Sequence, residues 1–185
     1  ALPNREACAT TSEPTLLLGL RATNEIRHCG YLHQPKMNNL RARIKEKRKQ
    51  LSDESLNLLG NHILKNIQGL ISFEDHERIS TYFSVNNEVD TSMLNNYLWG
   101  INKHLFLPRV KQGRLLFSSY SKDQELSLNN YGIPEPKHIN EKSIEVEEFD
   151  LMFIPLVAFD SNCNRIGMGG GYYDKTLAFK KESEI

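Results

Sequence analysis

A glycine cluster near the carboxyl end constrains this chain more than any other feature, with four glycines in the five positions 167–171. An apolar run, Leu151 to Phe159, precedes it and has the length of one buried strand. Helix-compatible residues follow, from Tyr172 to Lys181. Backbone without Cβ atoms can turn its amides toward an anion, and the first amides of a helix lack intrahelical partners. The order strand, glycine loop, helix therefore favours phosphate binding, with a plain tight turn as the alternative.

The residues beside the cluster strengthen the phosphate interpretation. Arg165 supplies a fixed positive fork at the start of the loop. Asp174 places a carboxylate just past it, where a magnesium ion bridging phosphates could bind, although an acid in a first helical turn also stabilises the helix dipole. Tyr172 and Tyr173 add flat apolar faces with hydroxyls. The spacing matches neither the P-loop nor the dinucleotide-binding fingerprint.

The stretch from Pro155 to Leu177, PLVAFDSNCNRIGMGGGYYDKTL, resembles the C-terminal motif of the 5-formyltetrahydrofolate cyclo-ligases, also called methenyltetrahydrofolate synthetases. The resemblance covers residues 38 to 177 approximately. It implies an ATP-dependent cyclisation of 5-formyltetrahydrofolate to 5,10-methenyltetrahydrofolate, with ATP as co-substrate and Mg²⁺ as cofactor. No nucleophilic side chain is assigned, since phosphoryl transfer depends mainly on positioning and charge neutralisation.

This family likeness also implies site residues. ATP contacts are expected in a basic helix and in the glycine loop, at Arg41, Lys45, Arg165, Ile166, Gly167, Met168, Gly169, Gly170, Gly171, Tyr172 and Tyr173. Folate contacts are expected at Phe83, Glu88 and Tyr172, and a metal contact at Asp174. Arg109 is a further candidate for phosphate or for the folate glutamate, with a salt-bridged loop residue as the alternative.

The basic helix is expected over Asn38–Gln50, where apolar and basic side chains lie along adjacent stripes. By residue chemistry alone such a stripe is more typical of a solvated face. Arg41 matches the arginine of the family pattern, but Met37 occupies the place of the family's lysine.

Periodicity predicts the other elements of an α/β fold. We expect an open, mostly parallel central sheet flanked by helices, in a Rossmann-like three-layer arrangement. The predicted elements are a helix capped by Ser52 and running to Leu70, a strand Arg78–Val85, a helix to about Trp99, strands His104–Val110 and Arg114–Tyr120, and a rigid loop Tyr131–Pro136 that resembles the family's GIPEP.

Composition excludes other classes of protein. The 23 basic and 23 acidic residues balance, so a general nucleic-acid binder is not expected. No apolar run approaches 18 residues, so no membrane partner is expected. The three cysteines are odd in number and lack metal-ligand spacing, which favours a reduced cytoplasmic setting. A monomer is expected.

The two ends of the chain carry separate hypotheses. Residues 1–36 show no sustained period and lie outside the resemblance, so we expect a disordered extension with Met37 as the native start. Residues 37–185 form the expected α/β domain, C-terminally truncated because the family continues past Ile185 with a further strand. The alternative functions are therefore an inactive nucleotide- or folate-binding remnant and a phosphosugar-binding regulator.

Overall fold

The computed structural model describes residues 34–137, 143–160 and 164–178. Expectations for residues 1–33 and 179–185 lie outside this range. The described helices are α1 Gln34–Lys49, α2 Asp53–Leu70, α3 Ser92–Gly100 and α4 Tyr172–Thr176, with a 3₁₀ turn at Val146–Glu148. The described strands are β1 Arg78–Ser80, β2 His104–Lys111, β3 Arg114–Tyr120, β4 Leu126–Leu128, β5 Pro134–Pro136, β6 Leu151–Met152, β7 Ala158–Phe159 and β8 Arg165–Ile166.

The central sheet has four strands in the order β3-β2-β1-β6. Strand β1 pairs in parallel with β2 and with β6, whereas β2 and β3 form an antiparallel hairpin. The sheet is thus mostly parallel, as expected for an α/β fold. Two further pairs, β4 with β5 and β7 with β8, are small antiparallel hairpins beside it.

Alternation along the strands divides the core into two clusters on opposite faces of the sheet. Ile79, Leu105 and Leu151 pack with buried residues of α2 and α3 in one cluster. Phe106 and Met152, each the next residue along its strand, belong to the other cluster. That second cluster includes Phe117 and Phe149 and is covered in part by α4. The sheet consequently has helical segments on both faces.

Several predicted elements have different bounds. Strand β1 ends at Ser80, the Thr81 amide still donates to the Phe106 carbonyl at 2.9 Å, and the residues from Tyr82 to Val85 are not part of the strand. Helix α1 begins at Gln34, before the expected Asn38, and α4 ends at Thr176 instead of Lys181.

Proline affects two strand segments in different ways. Strand β2 passes through Pro108 without interruption, because β1 pairs no further than Phe106 and the missing amide of Pro108 therefore faces no neighbouring strand. The apolar run 151–159 forms two short strands, β6 and β7, since Pro155 between them cannot donate to a ladder. The expected loop Tyr131–Pro136 includes strand β5, which pairs with β4.

Candidate functional site

A cleft of about 530 Å³ opens beside the carboxyl end of β1, and the glycine loop forms one wall. The chain after β1 also lines the cleft, through Tyr82, Phe83 and Val85. The second half of β2 and the β4–β5 connection contribute further walls, and α1 contributes Lys45. Segments distant in sequence therefore meet around one space large enough for a small-molecule ligand.

Backbone geometry explains two of the glycines in the loop. Gly169 has a φ of 111° and Gly171 a φ of 66°, in the region that L side chains rarely adopt. Gly171 also precedes the five-residue helix α4, whose first i→i−4 hydrogen bond joins the Lys175 amide to the Gly171 carbonyl.

Gly170 is required for a different reason, since its φ is not positive. A Cβ at Gly170 would lie 2.9 Å from Cε2 of Tyr172. The close approach of the Tyr172 ring therefore leaves room for glycine and for no larger residue without a shift of that ring.

Helix α1 contacts the glycine loop directly. Nε of Arg41 donates a hydrogen bond of 2.9 Å to the carbonyl oxygen of Gly167, and its Nη1 donates to Oδ1 of Asn38. Lys45, one turn further along, lines the cleft. The stripe predicted from sequence thus faces the glycine loop, and it brings two positive charges to this side of the cleft.

The two charged residues that flank the loop are paired with each other. Nη2 of Arg165 and Oδ1 of Asp174 form an ion pair, and Nη1 of Arg165 also donates to the Pro155 carbonyl at 3.1 Å. The guanidinium lies 5.8 Å from the centroid of the Tyr173 ring. Asp174 keeps nearly half of its side chain exposed, so both partners remain accessible from the cleft that they line.

Glu88 also lines the cleft and is buried, at 7% exposure. Its Oε2 accepts a hydrogen bond from the Val85 amide at 3.2 Å, and its Oε1 lies 3.4 Å from Nη1 of the equally buried Arg48. Burial raises the pKa of the Glu88 carboxyl, while the Val85 amide and the Arg48 charge oppose that shift. Phe83 lines the cleft nearby.

Two tyrosines, Tyr82 and Tyr173, lie near Glu88. Burial raises the pKa of Tyr82 and of Tyr173, so both remain neutral at physiological pH. The Tyr173 hydroxyl has no hydrogen-bond partner among the described residues. A buried donor without a partner costs free energy, and a ligand group in the cleft could satisfy it.

Tyr131 and Tyr172 meet at the mouth of the cleft. Their hydroxyl oxygens are 2.5 Å apart and their rings form an edge-to-face pair with centroids at 6.1 Å. The hydrogen bond with Tyr131 raises the pKa of Tyr172. The β4–β5 connection and the first turn of α4 are therefore tied together across the opening.

The structure brings most of the predicted site residues to the cleft. Those that line it are Lys45, Phe83, Glu88, Arg165, Gly167, Met168, Gly170, Gly171, Tyr172, Tyr173 and Asp174. Arg41 reaches the loop through its bond to Gly167. Ile166 is instead buried in β8, and Gly169 is an exposed loop residue.

Arg109 does not line the cleft. Strand alternation directs its neighbours Pro108 and Val110 to the cleft, and Nε of Arg109 lies 3.8 Å from Oε2 of Glu135. This placement corresponds to the salt-bridged alternative, and a contact of Arg109 with phosphate or with the folate glutamate stays a prediction.

Arg48 and Tyr82 belong to the site but were not predicted from sequence. Arg48 lies on the basic stripe of α1, where a cation is ordinarily solvated. Arg48 is buried against Glu88, which lies 40 positions further along the chain, and the sequence carries no local signal for a contact between such distant residues.

Two classes of feature are absent from the described residues. None of their helices is both long enough and apolar enough to cross a membrane. Residues 34–137, 143–160 and 164–178 also hold no group of three or more His, Cys, Asp or Glu side chains placed to bind a metal ion.

Comparisons with known proteins agree with the resemblance. Over 149 residues the chain is 34% identical to the 5-formyltetrahydrofolate cyclo-ligase of Haemophilus influenzae, a match covering 79% of this chain and 80% of that protein. The Escherichia coli K12 enzyme of the same name is 32% identical over 137 residues, which are 72% of this chain and 75% of that protein. The structure of Aquifex aeolicus 5,10-methenyltetrahydrofolate synthetase superposes with a TM-score of 0.67 at 29% identity, covering 77% of this chain and 72% of that one. The model of the 5-formyltetrahydrofolate cyclo-ligase family matches residues 33–184, and this chain therefore belongs to that family.

Proposed function

We propose that this chain catalyses the ATP-dependent conversion of 5-formyltetrahydrofolate to 5,10-methenyltetrahydrofolate, with release of ADP and phosphate. Family membership supports the reaction. The structural observation that supports this reaction for this chain is that a basic helix, the glycine loop and the buried Glu88 all meet at one cleft. A reaction between a nucleotide and a folate requires both subsites to share one space.

The nucleotide phosphates bind at the glycine-loop wall. Lys45 provides positive charge there, and Arg41 fixes the loop through its contact with Gly167. Loop amides that carry no Cβ nearby can approach phosphate oxygens closely. Arg165 contributes a guanidinium, whose planar fork suits phosphate oxygens.

The folate binds at the opposite wall. Glu88 accepts hydrogen bonds from N–H groups of the pterin edge, since an ionised carboxylate acts as an acceptor. Phe83 and Tyr172 line the same cleft and supply flat faces for the ring system. Arg48 and the Val85 amide already donate to the two oxygens of the Glu88 carboxyl. The pterin N–H groups therefore bond to the remaining lone pairs of these oxygens.

The chemical steps follow from this arrangement. The γ-phosphoryl group of ATP passes to the formyl oxygen on N5, forming an O–P bond and releasing ADP. N10 then attacks the activated formyl carbon and loses its proton, and expulsion of phosphate breaks the C–O bond to leave the methenyl cation. Holding both reactants in line supplies most of the acceleration, because no side chain has to act as nucleophile.

Asp174 fits the magnesium ion that such a reaction uses. Magnesium is commonly held by one or two carboxylates together with substrate phosphates, so the single carboxylate of Asp174 is a sufficient protein contribution. Bound there, the ion would neutralise phosphate charge. The same carboxylate pairs with Arg165, so the positions of these two side chains depend on each other.

The test is turnover of 5-formyltetrahydrofolate by the purified chain with ATP and magnesium, followed by the absorbance of the methenyl product. ADP release should match product formation one to one. A Glu88→Ala variant should lose most of this turnover, whereas the matched control Glu54→Ala, at an exposed position in α2, should retain it.

A folded chain that binds both ligands but forms no methenyl product would refute catalysis and favour a binding protein. Calorimetric titration with 5-formyltetrahydrofolate and a non-hydrolysable ATP analogue separates that outcome from loss of binding.

A further inference from the structure

Helix α1 is held to the site mainly by guanidinium groups. None of its described side chains belongs to either core cluster, so apolar packing contributes little to its position. Arg41 instead contacts the glycine loop, and Arg48 is buried at 4% exposure at the far end of the helix. A buried arginine requires partners for its charge and its donors.

Arg48 satisfies that requirement with three groups from two segments. Its Nη2 donates to the Leu156 carbonyl at 2.6 Å and lies 3.5 Å from the Val157 carbonyl. Its Nη1 donates to Oε1 of Glu88 at 3.4 Å. The Arg48 carbonyl in turn accepts from Nδ2 of Asn87, the residue next to Glu88. The guanidinium thus has a fixed orientation and presents one edge to the carboxylate.

We propose that Arg48 is a positioning residue for folate recognition: it holds the buried Glu88 carboxyl ionised and directed into the cleft. This inference rests on the proposed function, in which Glu88 contacts the pterin. Arg48 does not line the cleft, so it acts through Glu88 and not on the substrate.

The groups that face Glu88 decide its ionisation. From α1, Arg48 and the more distant Lys45 favour the carboxylate, as does the hydrogen bond from the Val85 amide. The neutral hydroxyls of Tyr82, in the segment after β1, and of Tyr173, in α4, lie near it. Burial opposes ionisation most strongly, and removal of the Arg48 side chain would leave only the Val85 amide and the more distant Lys45 to counter it.

The first experiment measures Glu88 itself, without ligand, by carbon-13 NMR titration of labelled glutamate carboxyls. Glu88→Gln assigns the resonance. Arg48→Gln keeps a donor for the Leu156 carbonyl but removes the charge, and the Glu88 titration should move to higher pH by about one unit or more. Arg48→Lys keeps a positive charge, so its Glu88 titration should lie between those of wild type and Arg48→Gln. If Arg48→Gln does not fold, Arg48→Lys is compared with wild type instead. Arg43→Gln, an exposed position on the same helix, should leave the titration unchanged.

The second experiment is the pH profile of kcat/KM for 5-formyltetrahydrofolate. In Arg48→Gln its acid limb should move to higher pH in parallel with the carboxyl titration. At neutral pH the KM for 5-formyltetrahydrofolate should rise about ten-fold or more, against less than about two-fold for ATP.

An unchanged Glu88 titration in Arg48→Gln would overturn the proposal, as would equal increases in the two KM values, which would mean that Arg48 merely anchors α1. Absence of methenyl product from the wild-type chain would instead refute the proposed function, and the carboxyl titration would still decide whether Arg48 controls Glu88.

Discussion

Arg165 and Asp174 stand nine residues apart, on either side of the glycine loop, and their side chains form an ion pair. The pair spans the loop and fixes one end of it to the first turn of α4. If Arg165 binds a phosphate or Asp174 binds a metal ion, the ion pair between the two side chains weakens, so binding at one side chain changes the position and charge environment of the other.

Replacing Asp174 by Asn tests the role of this carboxylate. The change removes the charge that would hold magnesium and frees Arg165, so cyclisation should need several-fold more Mg²⁺ to reach half-maximal rate. The measurement is a magnesium titration of the cyclisation rate. Unfolding free energy should fall by no more than about 1 kcal/mol, because the carboxylate is nearly half exposed.

Asp53→Asn is the matched control, since Asp53 occupies the first turn of α2, away from the cleft. It should lower stability slightly through the helix dipole and leave the magnesium requirement unchanged. Coincident magnesium titrations for Asp174→Asn and wild type would reduce Asp174 to a structural residue.

Gly170→Val tests the loop geometry. Its Cβ would lie within about 3 Å of the Tyr172 ring, so the ring must shift and the loop must change shape. Turnover should fall by about ten-fold or more while the unfolding free energy changes by less than about 1 kcal/mol, as expected for an exposed loop. Steady-state kinetics and chemical denaturation measure the two effects.

The control substitution is Gly69→Val, at a position in α2 with no atoms near the added Cβ. It should leave turnover intact and improve helix propensity slightly. Equal activity of the two valine variants would contradict a phosphate-binding shape for the loop.

Tyr173→Phe tests the unpartnered hydroxyl. Because this oxygen is buried without a hydrogen-bond partner among the described residues, its removal should not lower the melting temperature. If the hydroxyl donates to a bound ligand, KM for that ligand should rise several-fold. Calorimetric melting and the two KM values provide the measurement. A lower melting temperature with unchanged KM values would show that the hydroxyl serves the fold.

Glu88→Gln tests the effect of burial on stability as a function of pH. Burial raises the pKa of native Glu88, so the native state binds this proton more tightly than the unfolded chain does. The resulting stabilisation is fully present below about pH 4 and is lost as pH rises through the native pKa. The unfolding free energy of wild type minus that of Glu88→Gln should therefore decrease across this window and level off above it.

Urea denaturation of both proteins at a series of pH values measures that difference. A difference that grows with pH would mean that the Arg48 charge outweighs burial and lowers the Glu88 pKa.

The sequence alone determined the elements whose signals are local. The stripe and cap of α2 at Ser52, the β2–β3 hairpin and the family motif around the glycine loop all depend on residues close together in the chain. Such patterns can be read from the sequence because periodicity and turn chemistry depend on residues only a few positions apart. They were sufficient to predict an α/β fold, and the structure confirms its mostly parallel sheet.

Tertiary structure decided how the site residues are used. Burial of Arg48 beside Glu88, pairing of Arg165 with Asp174, and the turning of Arg109 toward Glu135 join different segments of the chain. The sequence identified the charged residues, but burial and partner choice depend on which surfaces the folded sheet brings within a few ångströms. Electrostatic energies change steeply over that distance and with exclusion of water, so the same arginine can be solvated, structural or part of the site according to the packing around it.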